Sequence, residues 1–242
     1  MLAQPDDTTC GPTCLQAVFN YYGLNYSLDD VIDSVDVLED GGTLEVLLGI
    51  EALTRGFDAT LYSFNLKKFD PSWKGLSAMQ LYDKLEQQLQ YKQGKKFTVA
   101  TRAYQRFLKM GGNVQIDTLT PDLLDRYFDQ DCPILTGLSA TYLYQNKREY
   151  TDRQNKSVYD DLKGDPMGHF VVLCGMDNQR VFVADPYKEN PISESNYYEV
   201  DIFRLLNAIM LGIVTYDANL LIISPKNTLK QPKSGFASAK VN

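Results

Sequence analysis

The chain has 242 residues, of which 44% are hydrophobic, so it can bury a sizeable core as one large or two small domains. Its 24 Lys and Arg residues against 31 Asp and Glu residues give a net charge of −7, which argues against nucleic acid or an anionic membrane as the main partner. The sequence shows no signal peptide and no apolar run long enough to span a bilayer, so we expect a cytoplasmic protein.

The first distinctive stretch runs from Gln4 to Cys14 and leads into an apolar helical pattern. Gly11 and Pro12 suit the entry to a helix, because a proline at the first helical position gives up an amide that has no partner there. We therefore predict a helix that begins within a residue or two of Cys10. Free amides and the positive end of the helix dipole favour an anion at this place, and thus the thiolate form of Cys10. The alternative is that Cys10 and Cys14 are small buried apolar residues.

The next segment alternates short helices with a strand. A second helix is capped at Ser27, and a third begins at Thr43 and is apolar nearly all round, which indicates burial. The alternation over 57–61 predicts a strand. From 64 to 130 the pattern is helical with polar faces, and no Pro-, Ser- or Gly-rich linker separates it from the remainder. We interpret this region as a helical insertion packed on the rest of one domain.

The cysteines and the single histidine do not form a metal-binding pattern. Cysteines at 10, 14, 132 and 174 contain no Cys-x-x-Cys motif, and a cytoplasmic chain keeps them as thiols. We therefore expect neither a metal nor another cofactor. Cys14, Cys132 and Cys174 lie in apolar patterns, so Cys10 is expected to be the thiol that reacts first.

After a predicted strand over 132–138, the stretch 142–168 is polar and rich in tyrosine. Loops longer than about a dozen residues without structure of their own are mostly functional lids or disordered segments. Because this stretch ends beside the histidine, it is a candidate lid over a substrate cleft. The alternative is a mobile surface excursion.

The second chemical stretch is a β-hairpin pattern in which His169 begins one strand and Asp185 ends the other. A three-residue loop at 176–178 determines the pairing by counting outward. The counted pairs are Gly175 with Gln179, Leu173 with Val181, Val171 with Val183 and His169 with Asp185. Directly opposed side chains share a face, so the imidazole and the carboxylate can form a hydrogen bond. A slip of one residue would send them to opposite faces.

The helix-terminal Cys10 and the predicted pair of His169 and Asp185 are three parts of a nucleophilic Cys-His-Asp site. Each residue has an ordinary alternative. A lone histidine is usually a satisfied core or surface residue, and an Asp-Pro after a strand is usually a turn. The combination favours the catalytic interpretation.

The motifs Gln4, Cys10-Gly11-Pro12, His169-Phe170-Val171-Val172-Leu173 and Asp185-Pro186 also carry a resemblance. Their order resembles the papain-like cysteine peptidases that process bacteriocin leaders after a double glycine, and their stand-alone cytosolic relatives. The resemblance implies an α+β, papain-like fold, in which an N-terminal helix bearing the cysteine packs on an antiparallel sheet bearing the histidine and the aspartate.

By the same resemblance, Gln4 supplies the oxyanion hole, where its amide and the backbone amide of Cys10 would stabilise a tetrahedral intermediate. The alternative is an ordinary solvated glutamine. The chain has Thr9 where an acidic residue often precedes the cysteine, and no transporter portion follows. It therefore looks closer to the stand-alone relatives, some of which are thought to work beside peptide-ligating ATP-grasp enzymes.

The remaining sequence predicts a strand over 197–200, a helix over 203–210 and a last strand over 220–223. From 226 to 242 the composition turns basic and polar, which indicates a disordered tail. The alternative is a basic tail that binds a partner. Residues 1–225 are thus expected to form a single domain.

These observations predict a cysteine peptidase that acts on a peptide or protein substrate through an acyl-enzyme on Cys10. An acyl or aminoacyl transferase would use the same intermediate with an amine as acceptor. A third hypothesis is an inactive module that binds a peptide in the same cleft.

Overall fold

The computed structural model of the chain describes residues 1–38, 42–152, 157–215, 218–226 and 228. Its helices are α1 (Cys10–Tyr21), α2 (Leu28–Ser34), α3 (Glu45–Thr54), α4 (Ala78–Gln88), α5 (Lys95–Lys109), α6 (Pro121–Phe128), α7 (Ala140–Tyr144) and α8 (Ile202–Leu211). Its strands are β1 (Phe57–Ser63), β2 (Asn113–Gln115), β3 (Ile134–Ser139), β4 (Glu149–Thr151), β5 (Ser157–Tyr159), β6 (Gly168–Asp177), β7 (Arg180–Ala184), β8 (Tyr197–Asp201) and β9 (Asn219–Pro225). The predicted tail, 226–242, lies outside the described residues except for 226 and 228.

Seven strands form one sheet in the order β2-β1-β9-β3-β6-β7-β8. All neighbouring strands are antiparallel except β1 and β2, which are parallel. The central strands are apolar on both faces because helices cover both. On β9, Leu221 and Ile223 join the core beneath α1 and α3, whereas Leu220 and Ile222 join the core beneath α6 and α8. The result is a mixed α+β fold with a large sheet between two helical layers.

Helix α1 begins at Cys10, as the sequence predicts, and packs on β6. Its inner face buries Leu15, Val18 and Phe19, and the Cys14 thiol donates to the carbonyl of Phe170 at 3.2 Å. Glycine is needed early in this helix, because a Cβ at Gly11 would lie 2.7 Å from a methyl group of Thr43. The same Cβ would lie 3.2 Å from the ring of Phe170 on β6, so the helix start packs closely against the strand that carries the histidine.

The region 64–130 contains the predicted helices, α4 to α6, together with a strand that the sequence does not predict. Helix α4 begins with a reciprocal capping box between Ser77 and Gln80. Strand β2 forms the edge of the sheet beside β1. Three residues are too few to show an alternating pattern in the sequence. Strand β2 is recognised only by its pairing with β1. The interpretation of this region as an insertion in one domain stays a prediction.

The hairpin of β6 and β7 forms, but its predicted register is wrong. The turn contains two residues, Asn178 and Gln179, and Asp177 pairs with Arg180. Asn178 has φ +50°, a left-handed conformation that asparagine tolerates. The register then shifts between Leu173 and Gly175, where Cys174 is the extra residue of a β-bulge.

A two-residue turn by itself would place odd-numbered residues of β6 and β7 on opposite faces of the sheet, and the bulge brings them back to the same face. Beyond it Leu173 pairs with Val183 and Val172 with Ala184, so odd-numbered residues of both strands again share a face. Continued outward, this register places His169 opposite position 187, not opposite Asp185. The aspartate lies just past the end of β7, on the same face and diagonal to the histidine.

The segment 142–168 has more structure than the sequence indicates. It begins within α7 and contains the two-stranded sheet of β4 and β5, in which Tyr150 pairs with Val158. Glu149 also bridges to Asp165, which ties the end of the segment to its beginning. The polar composition conceals these short strands because neither face is apolar. A function as a lid stays a prediction.

Candidate active site

The start of α1 presents Cys10 at the surface of a cleft. A turn made by residues 6–9 precedes the helix, and the Asp6 carboxylate accepts hydrogen bonds from the amide and the hydroxyl of Thr8, each at 2.8 Å. Cys10 itself is 9% exposed, and no acidic residue lies in the first turn of the helix. The free amides and the dipole of the helix therefore act on the thiol without a competing carboxylate in that turn.

His169 lies near the beginning of β6, and its imidazole contacts both the thiol and the aspartate. Nε2 is 2.8 Å from Oδ1 of Asp185, and Cys10 lies close enough to the imidazole to contribute to its raised pKa. The imidazole is 8% exposed. Since Nε2 is used by Asp185, Nδ1 is the ring nitrogen left for the thiol.

Electrostatics favour a protonated imidazole. Burial lowers the pKa of His169, but the charge and hydrogen bond of Asp185, with a further contribution from Cys10, raise this pKa to about 10. The Asp185 pKa is lowered: burial acts to raise it, and His169 and the other hydrogen-bond donors outweigh that effect. A protonated imidazole at this place can give its proton to a reacting group.

Asp185 is fully buried, and both of its carboxylate oxygens are hydrogen-bonded. Oδ1 accepts from His169 and from the backbone amide of Tyr187, and Oδ2 accepts from the hydroxyls of Tyr144 and Tyr198. The sequence does not identify these tyrosines as site residues. For Tyr198 a signal exists, because it alternates with exposed Tyr197 on a strand and therefore points inward.

Gln4 is held beside the aspartate by its backbone, whose amide donates to the carbonyl of Pro186 at 2.9 Å. Its side-chain Nε2 donates to the carbonyl of Asp6 at 2.8 Å, whereas its Oε1 is buried and has no hydrogen-bond partner within the described part of the chain. One amide N–H remains for another acceptor. The predicted oxyanion role of Gln4 stays a prediction.

The three other cysteines differ from Cys10 in their surroundings. Cys14 is fully buried, and burial, followed by the nearby charges of Cys10 and Asp185, raises its pKa. Burial also raises the pKa of Cys132 to about 11. Cys174 corrects the sequence interpretation: although it lies in an apolar run, the bulge makes it an exposed residue.

The cleft at Cys10 and His169 has a volume of about 270 Å³. The turn before α1, the residues before α3 and the end of the 3-10 turn at Gly212–Thr215 form its walls. Within the described ranges no cluster of three His, Cys, Asp or Glu residues is placed to hold a metal ion. The same residues include no helix long and apolar enough to cross a membrane.

The fold and the site together define a class: a mixed α+β protein in which a cysteine at a helix start and a buried histidine–aspartate pair meet at one cleft. The chain belongs to the Peptidase_C39 like family, whose family model matches residues 1–205. This confirms the resemblance to the papain-like peptidases of the bacteriocin-processing type. Membership of the family points to cysteine peptidase activity in general.

A similar solved structure is that of a candidate C39-like peptidase from Bacillus anthracis, which is 14% identical to this chain. The match covers 93% of each chain with a TM-score of 0.45, a remote likeness that decides nothing about function. No curated protein sequence matches the chain.

Proposed function

We propose that the chain is a papain-like cysteine peptidase that cleaves a peptide or amide bond through an acyl-enzyme on Cys10, with His169 and Asp185 completing the site. The observation that carries the proposal is the chain of contacts from the Cys10 thiol through His169 to the buried carboxylate of Asp185. A histidine with a purely structural role would not require both a thiol at a helix start and a buried carboxylate as its neighbours.

In the first half of the reaction the Cys10 thiolate attacks the substrate carbonyl, and the proton that it gave up resides on His169. The negative charge then develops on the carbonyl oxygen. The backbone amide of Cys10 lies in the first turn of α1, where amides have no intrahelical acceptor, and it stabilises this oxyanion together with the Gln4 amide. As the intermediate collapses, His169 gives its proton to the leaving amine, and a thioester remains on Cys10.

In the second half water attacks the thioester, His169 takes the proton from that water, and the acid product leaves. Asp185 keeps the ring aligned throughout, because its hydrogen bond to Nε2 leaves Nδ1 directed at the reacting atoms. No cofactor takes part in these steps. The substrate is a peptide or protein, and a functional association with a peptide-ligating ATP-grasp enzyme in the cytoplasm is part of the proposal.

The test is mass spectrometry after incubation of the protein with pools of peptides. The parent protein should release cleavage products and carry a transient acyl mass on the peptide that contains Cys10. The Cys10→Ala variant should do neither, whereas Cys174→Ala, which removes an exposed thiol outside the cleft, should behave like the parent.

The same experiment separates the other hypotheses. Added amine acceptors would form amide products in preference to acids if the chain is a transferase, because the thioester is then resolved by the amine. Retention of intact peptides, with no acyl mass and no product from any pool, would identify a binding module and overturn the proposal.

A further inference from the structure

Two tyrosine hydroxyls hold the oxygen of Asp185 that does not face the histidine. The hydroxyls of Tyr144 and Tyr198 each donate to Oδ2 at 2.7 Å. The two residues come from separate elements, because Tyr144 ends α7 and Tyr198 lies on β8. The proposed peptidase mechanism does not use either of them.

A carboxylate in this position needs such donors. Asp185 has no exposed surface, and a buried carboxylate without hydrogen bonds becomes protonated. Burial acts to raise its pKa, but His169 and the hydroxyls of Tyr144 and Tyr198 more than offset this effect, so the pKa is lowered. Burial and the adjacent Asp185 charge raise the pKa values of both tyrosines, which therefore remain neutral donors.

We propose that Tyr144 and Tyr198 are positioning residues that keep Asp185 ionised and aimed at His169, and that their hydroxyls take up part of the carboxylate charge that holds the proton on the imidazolium. The consequence for turnover depends on the proposed peptidase function. The consequence for the protonation of His169 does not.

Other groups that face this pair remain in place when a tyrosine hydroxyl is removed. Cys10 faces His169 from α1, and the Tyr187 ring lies 6.4 Å from the imidazole, centroid to centroid. Cys14 lies within electrostatic range of Asp185, and Arg204 of α8 lies within that range of Tyr198. A Tyr→Phe change therefore tests one hydrogen bond, since it conserves the ring and these neighbours.

The test uses the fact that the sequence contains one histidine, so His169 accounts for every native imidazole signal in an NMR spectrum. The titration is measured in Cys10→Ala protein, which removes the thiol whose ionisation is coupled to that of the ring. Into this background go Tyr144→Phe, Tyr198→Phe, the double change and, as a reference for full loss of the charge, Asp185→Asn.

Each single change should raise the His169 pKa by up to about one unit, because a carboxylate that has lost a hydroxyl donor holds the imidazolium proton more strongly. The double change should raise it further, whereas Asp185→Asn should lower it. The matched control is Tyr127→Phe, which removes a hydroxyl from another buried pair, 2.7 Å from the hydroxyl of Tyr62. This control should titrate like its parent. An unchanged titration in the folded double variant would overturn the proposal. Should Tyr198→Phe fail to fold, the less buried Tyr144→Phe decides.

Activity supplies a second readout in protein that retains Cys10. The alkaline limb of the pH profile of kcat/KM should move to higher pH in both tyrosine variants, whereas a general loss of stability would lower the whole profile without moving its limb. If the NMR titration shifts while the parent cleaves no peptide, the positioning role stands and the peptidase function fails. If the parent is active but the NMR titration does not change in the variants, the peptidase function stands and the positioning role fails.

Discussion

Oδ1 of Asp185 lies 2.8 Å from Nε2 of His169, although the two residues are not opposite each other in their hairpin. A two-residue turn alone would have put them on opposite faces of the sheet, and the bulge at Cys174 reverses that effect. The side chains then meet along a diagonal, where an imidazole is long enough to reach the carboxylate. The site thus depends on a β-bulge that lies five residues after His169 and eleven residues before Asp185.

Alkylation should distinguish Cys10 from Cys174, which is an exposed residue. The sulfur of Cys174 is nevertheless partly buried, which raises its pKa, whereas Cys10 lies beside an imidazole that stays protonated to about pH 10. At pH 6, limited iodoacetamide should therefore modify Cys10 first, as peptide mapping by mass spectrometry would show. In His169→Ala the preference should disappear. Faster modification of Cys174 than of Cys10 in the parent at this pH would refute the nucleophile assignment.

Replacement of Asp185 should slow turnover more mildly than replacement of His169. Asp185→Asn keeps the size of the side chain but removes the charge that raises the His169 pKa. We expect a loss of about 10- to 1000-fold, below the loss of about 10⁴-fold that the same change causes in a Ser-His-Asp triad, because a preformed ion pair depends less on the third residue. His169→Ala should abolish turnover. The measurement is kcat/KM for any cleaved peptide, and equal activity of Asp185→Asn and the parent would contradict the pairing.

Two buried cations should give opposite dependences of stability on pH. The folded-state pKa of His169 is raised from 6.5 to about 10, so its stabilising contribution is complete below pH 6.5 and is lost as the pH rises toward 10. The folded-state pKa of Lys68 is lowered from 10.5 to about 7 by burial and by Lys92. The free energy of unfolding therefore increases as the pH rises from about 7 to 10.5. Each slope is at most about 1.4 kcal/mol per pH unit.

Urea unfolding at pH 7.5, 8.5 and 9.5 tests this balance. The opposing slopes of His169 and Lys68 largely cancel in the parent. Relative to it, the free energy of unfolding of His169→Ala should rise with pH, and that of Lys68→Met should fall. Identical slopes in the three proteins would show that neither group has a shifted pKa in the folded state.

Replacement of Gln4 should lower kcat without changing the rate at which the Cys10 thiol is alkylated. If its amide stabilises the oxyanion, Gln4→Ala should lower kcat by about 100-fold, the cost of one oxyanion donor. The rate at which iodoacetamide alkylates Cys10 should remain that of the parent, since alkylation forms no oxyanion. A variant with normal kcat would assign Gln4 to the loop alone, where it donates to the carbonyl of Asp6.

Local sequence determined much of the fold, because the signals involved are short-range. Gly11 and Pro12 mark a helix start that the structure places at Cys10, and the apolar runs at 132–138 and 220–223 become central strands. A run that is apolar at consecutive positions indicates burial on both faces, which the two helical layers provide. Neither inference needs knowledge of distant residues.

The exact register and the surroundings of the carboxylate were decided by tertiary structure. Cys174 lies in the pattern of an apolar strand, yet pairing with β7 makes it the exposed residue of a bulge. Tyr144 and Tyr198 are 54 positions apart in sequence, and only the packing of α7 and β8 brings their hydroxyls to one oxygen. The physical reason is that a buried charge must find donors wherever the fold supplies them, and no local pattern encodes which distant side chains those are.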